Sequence, residues 1–259
     1  MYPELKNKIV LVTGGTRGIG EATVKAFLEE ESIVISLDKE IPEKPLKNVI
    51  YKIVDVSDNE GVKKTITEIG NEIGNINIVI NNAGIEKYNP VHLTDEEMWD
   101  EIMNVNVKGA FLVSKYTIPM MLKERYGVII NVASVQSFAI TRNAAAYVTS
   151  KHALLGLTKS IALDYAPYIR SIAVCPATIR TPLTDWAAKL EVGDDPKKIE
   201  EKYKEWGSYH LLGRVGKPEE VANVIKFLSS NQASFITGSS ILVDGGILVP
   251  LPISTPKVI

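Results

Sequence analysis

The residues Lys8-Ile-Val-Leu-Val-Thr13-Gly-Gly-Thr-Arg-Gly-Ile-Gly20 join a short apolar run to a glycine-rich turn. A continuous β-branched run predicts a parallel strand that is buried on both faces. The residues after the turn, Ile19–Glu31, have apolar side chains at helical spacing. Glycines at positions 14, 18 and 20 allow a tight turn and leave the N–H groups of the helix N-terminus open to a pyrophosphate. The stretch therefore predicts a dinucleotide-binding βα unit, although its G-x-x-x-G-x-G spacing differs from the commoner G-x-G-x-x-G.

The same alternation of strand and helix continues along the chain. Strands are predicted at Lys8–Thr13, Ile33–Leu37, Val49–Val54, Ile76–Asn81, Val128–Ala133, Ser171–Cys175 and Ser240–Val243. Helices are predicted at Ile19–Glu31, Glu60–Ile73, Asp95–Ser114, Lys115–Glu124, Ala146–Tyr165 and Pro218–Leu228. This order predicts an α/β fold, a single Rossmann-type doubly wound parallel seven-stranded sheet with helices on both faces.

Length and composition fit one globular domain over residues 1–259. The chain is 45% hydrophobic and 23% charged, and its net charge of −2 provides no general attraction for nucleic acid. No run of 18 apolar residues is present, so no membrane span is expected. The N-terminus lacks a signal-peptide pattern, and the single cysteine, Cys175, cannot form an intrachain disulfide. These features predict a cytoplasmic protein without a metal site.

Two segments depart from the alternation. Residues 182–213 are predicted to be helical with a break at Gly193–Pro196, and we interpret them as a lid over a substrate site. The tail 247–259 contains three prolines and is predicted to be extended rather than helical. A disordered end is one interpretation of this tail. The other is that Ile253–Pro256 packs over an active site, either its own or that of a neighbouring subunit.

Asp38 ends the second predicted strand, 18 residues after Gly20. A carboxylate at this place accepts hydrogen bonds from the adenosine ribose hydroxyls and repels a 2′-phosphate. Arg17 and Lys39 oppose that preference, because a cation near the ribose can bind the phosphate. The prediction is that NAD is preferred and that NADP is possible. Asp55 and Val56, after the third strand, are expected to contact the adenine.

Tyr147 and Lys151 are four residues apart in a predicted helix and so lie on one face. An ammonium group beside a phenol lowers the phenol pKa, which would make the pair a proton-transfer unit. Ser134, at the end of a predicted strand, could hydrogen bond the reacting oxygen. A Tyr-x-x-x-Lys pair alone is more often a surface pair, and Ser134 is the residue that favours the catalytic interpretation.

Together these motifs resemble the short-chain dehydrogenase/reductase family over Lys6–Gly246. The motifs are Thr13–Gly20, Asn81-Asn-Ala-Gly84, Asn104-Val-Asn-Val-Lys-Gly109, Ser134 with Tyr147 and Lys151, Pro176–Thr181 and Val243-Asp-Gly-Gly246. The resemblance implies an NAD(P)-dependent oxidoreductase that needs no metal. It also implies a homotetramer built on the helices near Val107–Glu124 and Ala146–Tyr165. The chain has Pro176-Ala177 where the family usually has Pro-Gly.

The resemblance assigns a role to each catalytic residue. Tyr147 takes the substrate hydroxyl proton, and Ser134 stabilises the oxyanion. Lys151 holds the nicotinamide ribose and lowers the Tyr147 pKa, and Asn106 widens its helix to hold a water in a proton relay. The cofactor residues expected from the motifs are Gly14, Thr16, Arg17, Gly18, Ile19, Gly20, Asp38, Asp55, Val56, Asn82, Ala83, Gly84, Tyr147, Lys151, Pro176, Ile179 and Thr181.

For the substrate, the chain is most similar to microbial aldose 1-dehydrogenases within this family. The candidate sugar-binding residues are Ser134, Gln136, Glu86, Asn143, Tyr147 and Trp186, of which Trp186 would stack on a sugar face. Glu86 could instead be a solvated loop acid, and Trp186 could be core packing of the lid. A 3-oxoacyl carrier-protein reductase or another ketoreductase is the alternative activity, and Asp38 argues against it. A binding protein that senses the cofactor is less consistent with the Tyr147 and Lys151 pair.

Overall fold

The computed structural model describes residues 2–250 and contains one sheet. Its strands are β1 (Ile9–Thr13), β2 (Ile33–Asp38), β3 (Val49–Ile53), β4 (Ile78–Asn81), β5 (Gly127–Val132), β6 (Ile169–Pro176) and β7 (Ser240–Val243). They pair in the order β3-β2-β1-β4-β5-β6-β7, and every pairing is parallel. The predicted seven-stranded parallel sheet is confirmed.

Helices cover both faces of this sheet. They are α1 (Gly18–Leu28), α2 (Asn59–Glu72), α3 (Glu96–Met103), α4 (Gly109–Glu124), α5 (Ala145–Tyr165), α6 (Pro182–Val192), α7 (Pro196–Ser208) and α8 (Pro218–Ser229). Along β1, Val10 and Val12 pack in one cluster with residues of α1 and α8. Leu11 points to the opposite cluster, which contains residues of α2, α4 and α5. Alternate strand residues therefore build two separate cores, as strands buried on both faces require.

The predicted boundary between Ser114 and Lys115 is wrong. Helix α4 runs through both residues, and α3 and α4 are joined by the π-helical turn Asn104–Lys108. The N–H of Gly109 donates to the carbonyl of Asn104. The irregular turn therefore lies at the N-terminal end of α4, at a place where the hydrophobic pattern alone shows no helix end.

Other boundaries differ for local reasons. Helix α1 ends at Leu28, before the predicted Glu31, because Glu31 adopts the left-handed conformation at φ 57°. Residues 182–213 contain α6 and α7, and residues 193–195 separate the two helices. Within residues 2–250 no helix has the length and apolar character needed to cross a membrane. The predicted tail contact at Ile253–Pro256 lies outside the described residues.

The topology reverses between β1 and β4, which are neighbours in the sheet although β2 and β3 separate them in the chain. In doubly wound sheets a crevice opens at this switch point, at the carboxyl ends of the strands. Thr13 ends β1 and Asn81 ends β4. The loops that follow these two residues therefore meet at the crevice.

Candidate active site

The glycine-rich loop needs its glycines for conformation and for space. Gly14 and Gly18 have positive φ angles, +63° and +56°. A Cβ atom placed on Gly20 would lie 1.9 Å from the carbonyl oxygen of Gly14. Because L side chains rarely adopt such φ values and the backbone leaves no room at Gly20, this turn is closed to larger residues.

Asn82 locks this loop to the end of β4. Its Nδ2 atom donates to the carbonyl oxygens of Thr13 and Gly14, each at 3.0 Å. In return, the Thr13 hydroxyl accepts from the backbone N–H groups of Asn82 and Ala83, each at 3.0 Å. The predicted cofactor residue Asn82 therefore supports the loop that would face a cofactor.

The first turn of α1 is suited to an anion. Within residues 2–250 no side chain caps this helix at Arg17, so its first N–H groups stay open at the crevice. Open N–H groups and the positive end of the helix dipole favour a pyrophosphate. The glycine cradle and this helix end fit the phosphates of a dinucleotide.

Asp38 lies at the end of β2 and is already oriented by the protein. Its Oδ2 atom accepts from the Thr16 hydroxyl at 2.6 Å, and its Oδ1 atom accepts from the Lys39 N–H at 2.8 Å. The two nearby cations are paired with acids, Arg17 with Glu40 at 3.6 Å and Lys39 with Asp55 at 2.8 Å. These pairings reduce the positive charge that could receive a 2′-phosphate.

Asp55 and Val56 make contacts that were not anticipated. Burial tends to raise the pKa of Asp55, but hydrogen bonds from Lys39 and Ser57 outweigh it and hold that pKa below its ordinary value. The Val56 side chain is buried in the core and packs closely against Gly109. Of this pair, therefore, only the edge around Asp55 is free to face an adenine.

Ser134, Tyr147 and Lys151 converge at the carboxyl edge of β5. All three are buried, and the Ser134 hydroxyl also accepts from the N–H of Gln136 at 3.1 Å. The Lys151 Nζ atom lies 5.5 Å from the centre of the Tyr147 ring and donates to the carbonyl of Val132 at 2.8 Å. One turn of α5 therefore places both side chains beside the serine, as their spacing predicts.

The expected lowering of the Tyr147 pKa is not found in this arrangement. Burial, followed by the negative charge of Glu86, raises the pKa of Tyr147, while the hydrogen bond with Ser134 lowers it. Burial also lowers the pKa of Lys151 to about 8, against the opposing effect of Glu86. The prediction that Lys151 alone lowers the Tyr147 pKa is wrong, because both groups are removed from water and Lys151 donates to a main-chain carbonyl.

Asn106 lies in the π-helical turn and its side chain is fully engaged. Its Oδ1 atom accepts from the N–H of Ile85 at 2.8 Å, and its Nδ2 atom donates to the carbonyl of Ile85 at 2.9 Å. The same Nδ2 atom donates to the Ser150 hydroxyl at 2.9 Å. The widened helix expected at Asn106 is present, and its side chain fixes the loop after β4 to α5.

Two supporting serines were missed from the sequence. Ser150 donates to the carbonyl of Tyr147 at 2.7 Å, and so links Asn106 to the tyrosine. Ser137 donates to the carbonyl of Lys151 at 2.9 Å. Ser150 immediately precedes Lys151, and that adjacency was the one available signal. The bond from Ser137 depends on folding of the loop and has no local signature.

A cleft of about 840 Å³ runs from the glycine loop to the three catalytic residues. The predicted residues that line it are Gly14, Arg17, Gly18, Ile19, Asn82, Ala83, Gly84, Glu86, Ser134, Gln136, Asn143, Tyr147, Lys151, Pro176, Ile179 and Thr181. Those that do not line it are Thr16, Gly20, Asp38, Asp55, Val56, Asn106 and Trp186. A volume of this size lies within the range of about 300–1,000 Å³ that is typical of small-molecule sites.

Polar side chains gather at the catalytic end of the cleft. Glu86 accepts from Gln136 Nε2 at 3.4 Å, and burial raises its pKa although Tyr88, Lys151 and Gln136 act in the opposite direction. Trp186 stacks on Tyr88, with ring centres 6.1 Å apart and planes within 10° of parallel. Tyr88 and Trp206 are the aromatic residues that line this end of the cleft, together with Tyr147 and Tyr209. The sequence analysis did not select Tyr88.

Comparison with known proteins identifies the class. A family model described as enoyl-(acyl carrier protein) reductase matches residues 14–248. The chain belongs to the short-chain dehydrogenase/reductase family. It is an oxidoreductase of a family that uses NAD(P) and acts on small-molecule substrates.

Individual relatives carry different substrate names. The ligand-free structure of Thermoplasma acidophilum aldohexose dehydrogenase is 49% identical, with a TM-score of 0.97 over 99% of this chain and 100% of that one. A 3-oxoacyl-[acyl-carrier-protein] reductase of Thermotoga maritima is 37% identical over 95% of this chain and 99% of its own length. Meso-2,3-butanediol dehydrogenase of Serratia marcescens is 36% identical over 93% and 94%, respectively.

Proposed function

We propose that the protein is an aldose 1-dehydrogenase, which transfers a hydride from C1 of an aldohexose to a nicotinamide cofactor and forms an aldonolactone. The observation that carries this proposal is the position of Glu86 and Gln136, which hydrogen bond each other inside the cleft that contains Ser134 and Tyr147. A carboxylate accepts from vicinal hydroxyl groups, and an amide both donates and accepts. The high overall similarity to an aldohexose dehydrogenase supports the same conclusion.

The catalytic side chains divide the work at C1. The Tyr147 hydroxyl oxygen takes the proton from the C1 hydroxyl, and Ser134 donates a hydrogen bond to the oxygen that becomes negative. When bound, the nicotinamide would supply the hydride acceptor and a positive charge that favours the phenolate. Lys151, below its pKa of about 8, carries the ammonium that would hold the ribose. A proton relay at Asn106 would have to use the main-chain carbonyl, because the side-chain amide is engaged.

We further propose that NAD is preferred and that NADP is used less well. Asp38 is held in place by Thr16, and a 2′-phosphate would have to displace or neutralise this carboxylate. Arg17 and Lys39 would first have to leave Glu40 and Asp55. The residues 182–213 would act as a lid over the substrate end of the same single domain.

The test is the initial rate of reduction of NAD and NADP with glucose, mannose, galactose and simple secondary alcohols. Fast NADH formation with one hexose, and slower NADPH formation, is the expected result. Each rate is measured beside a Tyr147→Phe preparation, which controls for contaminating host dehydrogenases. No reaction with any sugar, combined with NADPH oxidation by an acetoacetyl thioester, would replace this proposal with the ketoreductase activity.

A homotetramer built on α4 and α5 is also proposed. Phe111 on α4 and Leu163 on α5 are exposed in the single chain, at 46% and 83%. Large exposed apolar side chains of this kind commonly become buried between subunits. Light scattering after size exclusion should give a mass four times that of the 28.4-kDa chain, and a monomeric mass would exclude this assembly.

A further inference from the structure

The segment that carries Glu86 is fixed at both of its ends. Ile85 is held through its N–H and its carbonyl by the Asn106 side chain, at 2.8 and 2.9 Å. Asn89 donates its N–H to the carbonyl of Asn143 at 2.6 Å. Between these two anchors the backbone cannot move far, so the position of the Glu86 carboxylate depends on the side chains around it.

Two neighbours contact that carboxylate from different directions. Gln136 donates to it from the loop after β5, at 3.4 Å, and is itself bonded through Oε1 to the Thr141 hydroxyl at 2.9 Å. The Tyr88 hydroxyl hydrogen bonds Glu86 from the same segment. The charged and titratable groups that act on Glu86 or Tyr88 are Lys151 and Tyr147 on α5 and Glu191 on α6.

Tyr88 also reaches across the cleft. Its ring stacks on Trp186 of α6, with centres 6.1 Å apart and planes within 10° of parallel. Helix α6 is braced in turn by α7, because the Tyr203 hydroxyl donates to Asp185, the residue before Trp186, at 2.7 Å. Glu191, further along α6, forms an ion pair with Lys202 of α7 at 2.5 Å. The two helices therefore present Trp186 to Tyr88 from a braced support.

We infer that Tyr88 is a positioning residue, which orients the Glu86 carboxylate toward the substrate and connects it to α6 through the stack on Trp186. This inference rests on the proposed role of Glu86 in binding a polyhydroxylated substrate. Trp186 then acts on the substrate through Tyr88 and Glu86, and its ring has no direct contact with the sugar. Closure of α6 over the cleft and correct placement of the substrate-binding carboxylate become one event.

The test compares Tyr88→Phe, which keeps the stacked ring and removes the hydroxyl, with Trp186→Leu, which keeps the hydroxyl and removes the stack. Tyr88→Phe should raise KM for the hexose about 5- to 30-fold, with kcat and the Kd for NAD nearly unchanged. Trp186→Leu should raise KM in the same direction by a smaller factor. In the double variant KM should be no higher than in Tyr88→Phe, because both substitutions interrupt one path.

A second measurement needs no substrate. The carboxyl group of Glu86 is titrated by carbon NMR, with its resonance identified by its loss in Glu86→Gln. Removal of the hydroxyl that stabilises the carboxylate should move this titration to higher pH in Tyr88→Phe, and to a lesser extent in Trp186→Leu. The matched controls are Tyr168→Phe, which removes a hydroxyl that accepts from Arg125, and Trp99→Leu, which removes an equally exposed indole on α3. Neither control should move the titration.

Each outcome decides one of the two ideas. An unchanged Glu86 titration in Tyr88→Phe, or multiplicative effects of the two substitutions on KM, would overturn the positioning role. If the wild-type enzyme oxidises no hexose but the titration moves as expected, the positioning of Glu86 stands and the sugar assignment falls. If it oxidises a hexose and neither substitution changes KM, the sugar assignment stands and the positioning role falls.

Discussion

The two ends of the cleft are built in different ways. At the glycine-rich end the chain contacts itself through the backbone, with Asn82 bonded to the carbonyls of Thr13 and Gly14. At the substrate end, separate segments contribute side chains, among them Glu86, Gln136 and Trp186. A backbone-built site tolerates few substitutions because a backbone cannot rotate away from a clash. A side-chain-built site can change one contact at a time, so its specificity can diverge while the chemistry is retained.

The largest expected effect lies where the two ends meet, at Tyr147. Tyr147→Phe removes the proton acceptor and should lower kcat by about 10²- to 10⁴-fold. The Kd for NAD, measured by calorimetry, should change little, because the phenylalanine ring retains the packing. A parallel loss of NAD affinity would show that the tyrosine also supports the cofactor end of the cleft.

A smaller but still large effect is expected from the glycine-rich end. In Gly20→Ala the new methyl group would lie 1.9 Å from the Gly14 oxygen, so the turn must move. We expect the Kd for NAD to rise about 100-fold, which is a loss of about 2.7 kcal/mol. The control is Gly156→Ala in α5, where the added Cβ contacts nothing within 4 Å. Equal Kd values for both variants would contradict a backbone-built cofactor end.

The substrate end should respond more selectively. Glu86→Gln replaces an acceptor that carries charge with a neutral amide of the same shape, and KM for the hexose should rise about 10- to 100-fold, since hydrogen bonds to charged groups contribute about 1.5–3 kcal/mol. The Kd for NAD should stay the same. Steady-state kinetics with the hexose and calorimetry with NAD separate the two quantities. A changed Kd for NAD, with KM unaltered, would mean that the two ends are not independent.

The smallest effect is expected at the surface, at the start of α8. Glu220 accepts from Arg214 and from the Lys217 N–H, and these bonds lower its pKa from 4.5 to about 2. A lowered folded-state pKa stabilises the protein above pH 4.5, and this contribution is lost as the pH falls from 4.5 toward 2. Glu220→Gln should lower stability by roughly 0.5–1 kcal/mol at pH 7, because the pair is largely exposed.

Thermal unfolding of the wild-type protein and of Glu220→Gln as a function of pH checks this expectation. The difference in Tm between the two proteins should shrink as the pH falls below 4.5, the ordinary pKa of the carboxyl. A constant difference down to pH 3 would mean that the effect comes from packing of the α8 N-terminus and not from its charge. Hexose kinetics at pH 7 should be the same for both proteins, since Glu220 lies outside the main cleft.

The local pattern predicted most of the fold. The strands read from β-branched runs all occur, and the helices between them occur on both faces of the sheet. The misplaced boundary at Ser114 shows the limit of that pattern, since the real irregularity is the π-helical turn that contains Asn106. That turn has no hydrophobic signature, because the turn changes hydrogen bonding within a helix without interrupting its apolar face.

The sequence by itself determined the features that depend on near neighbours. The turn at Gly14–Gly20 follows from residues within one βα unit, and Tyr147 and Lys151 share a face because a helix repeats every 3.6 residues. Only the tertiary structure decided which distant side chains meet, such as Asn106 with Ile85 and Tyr88 with Trp186. It also decided that burial raises the pKa of Tyr147, because removal from water depends on every segment that covers a group. Short-range geometry is encoded by spacing, whereas contacts between distant segments and the solvent around a charge exist only after the chain has folded.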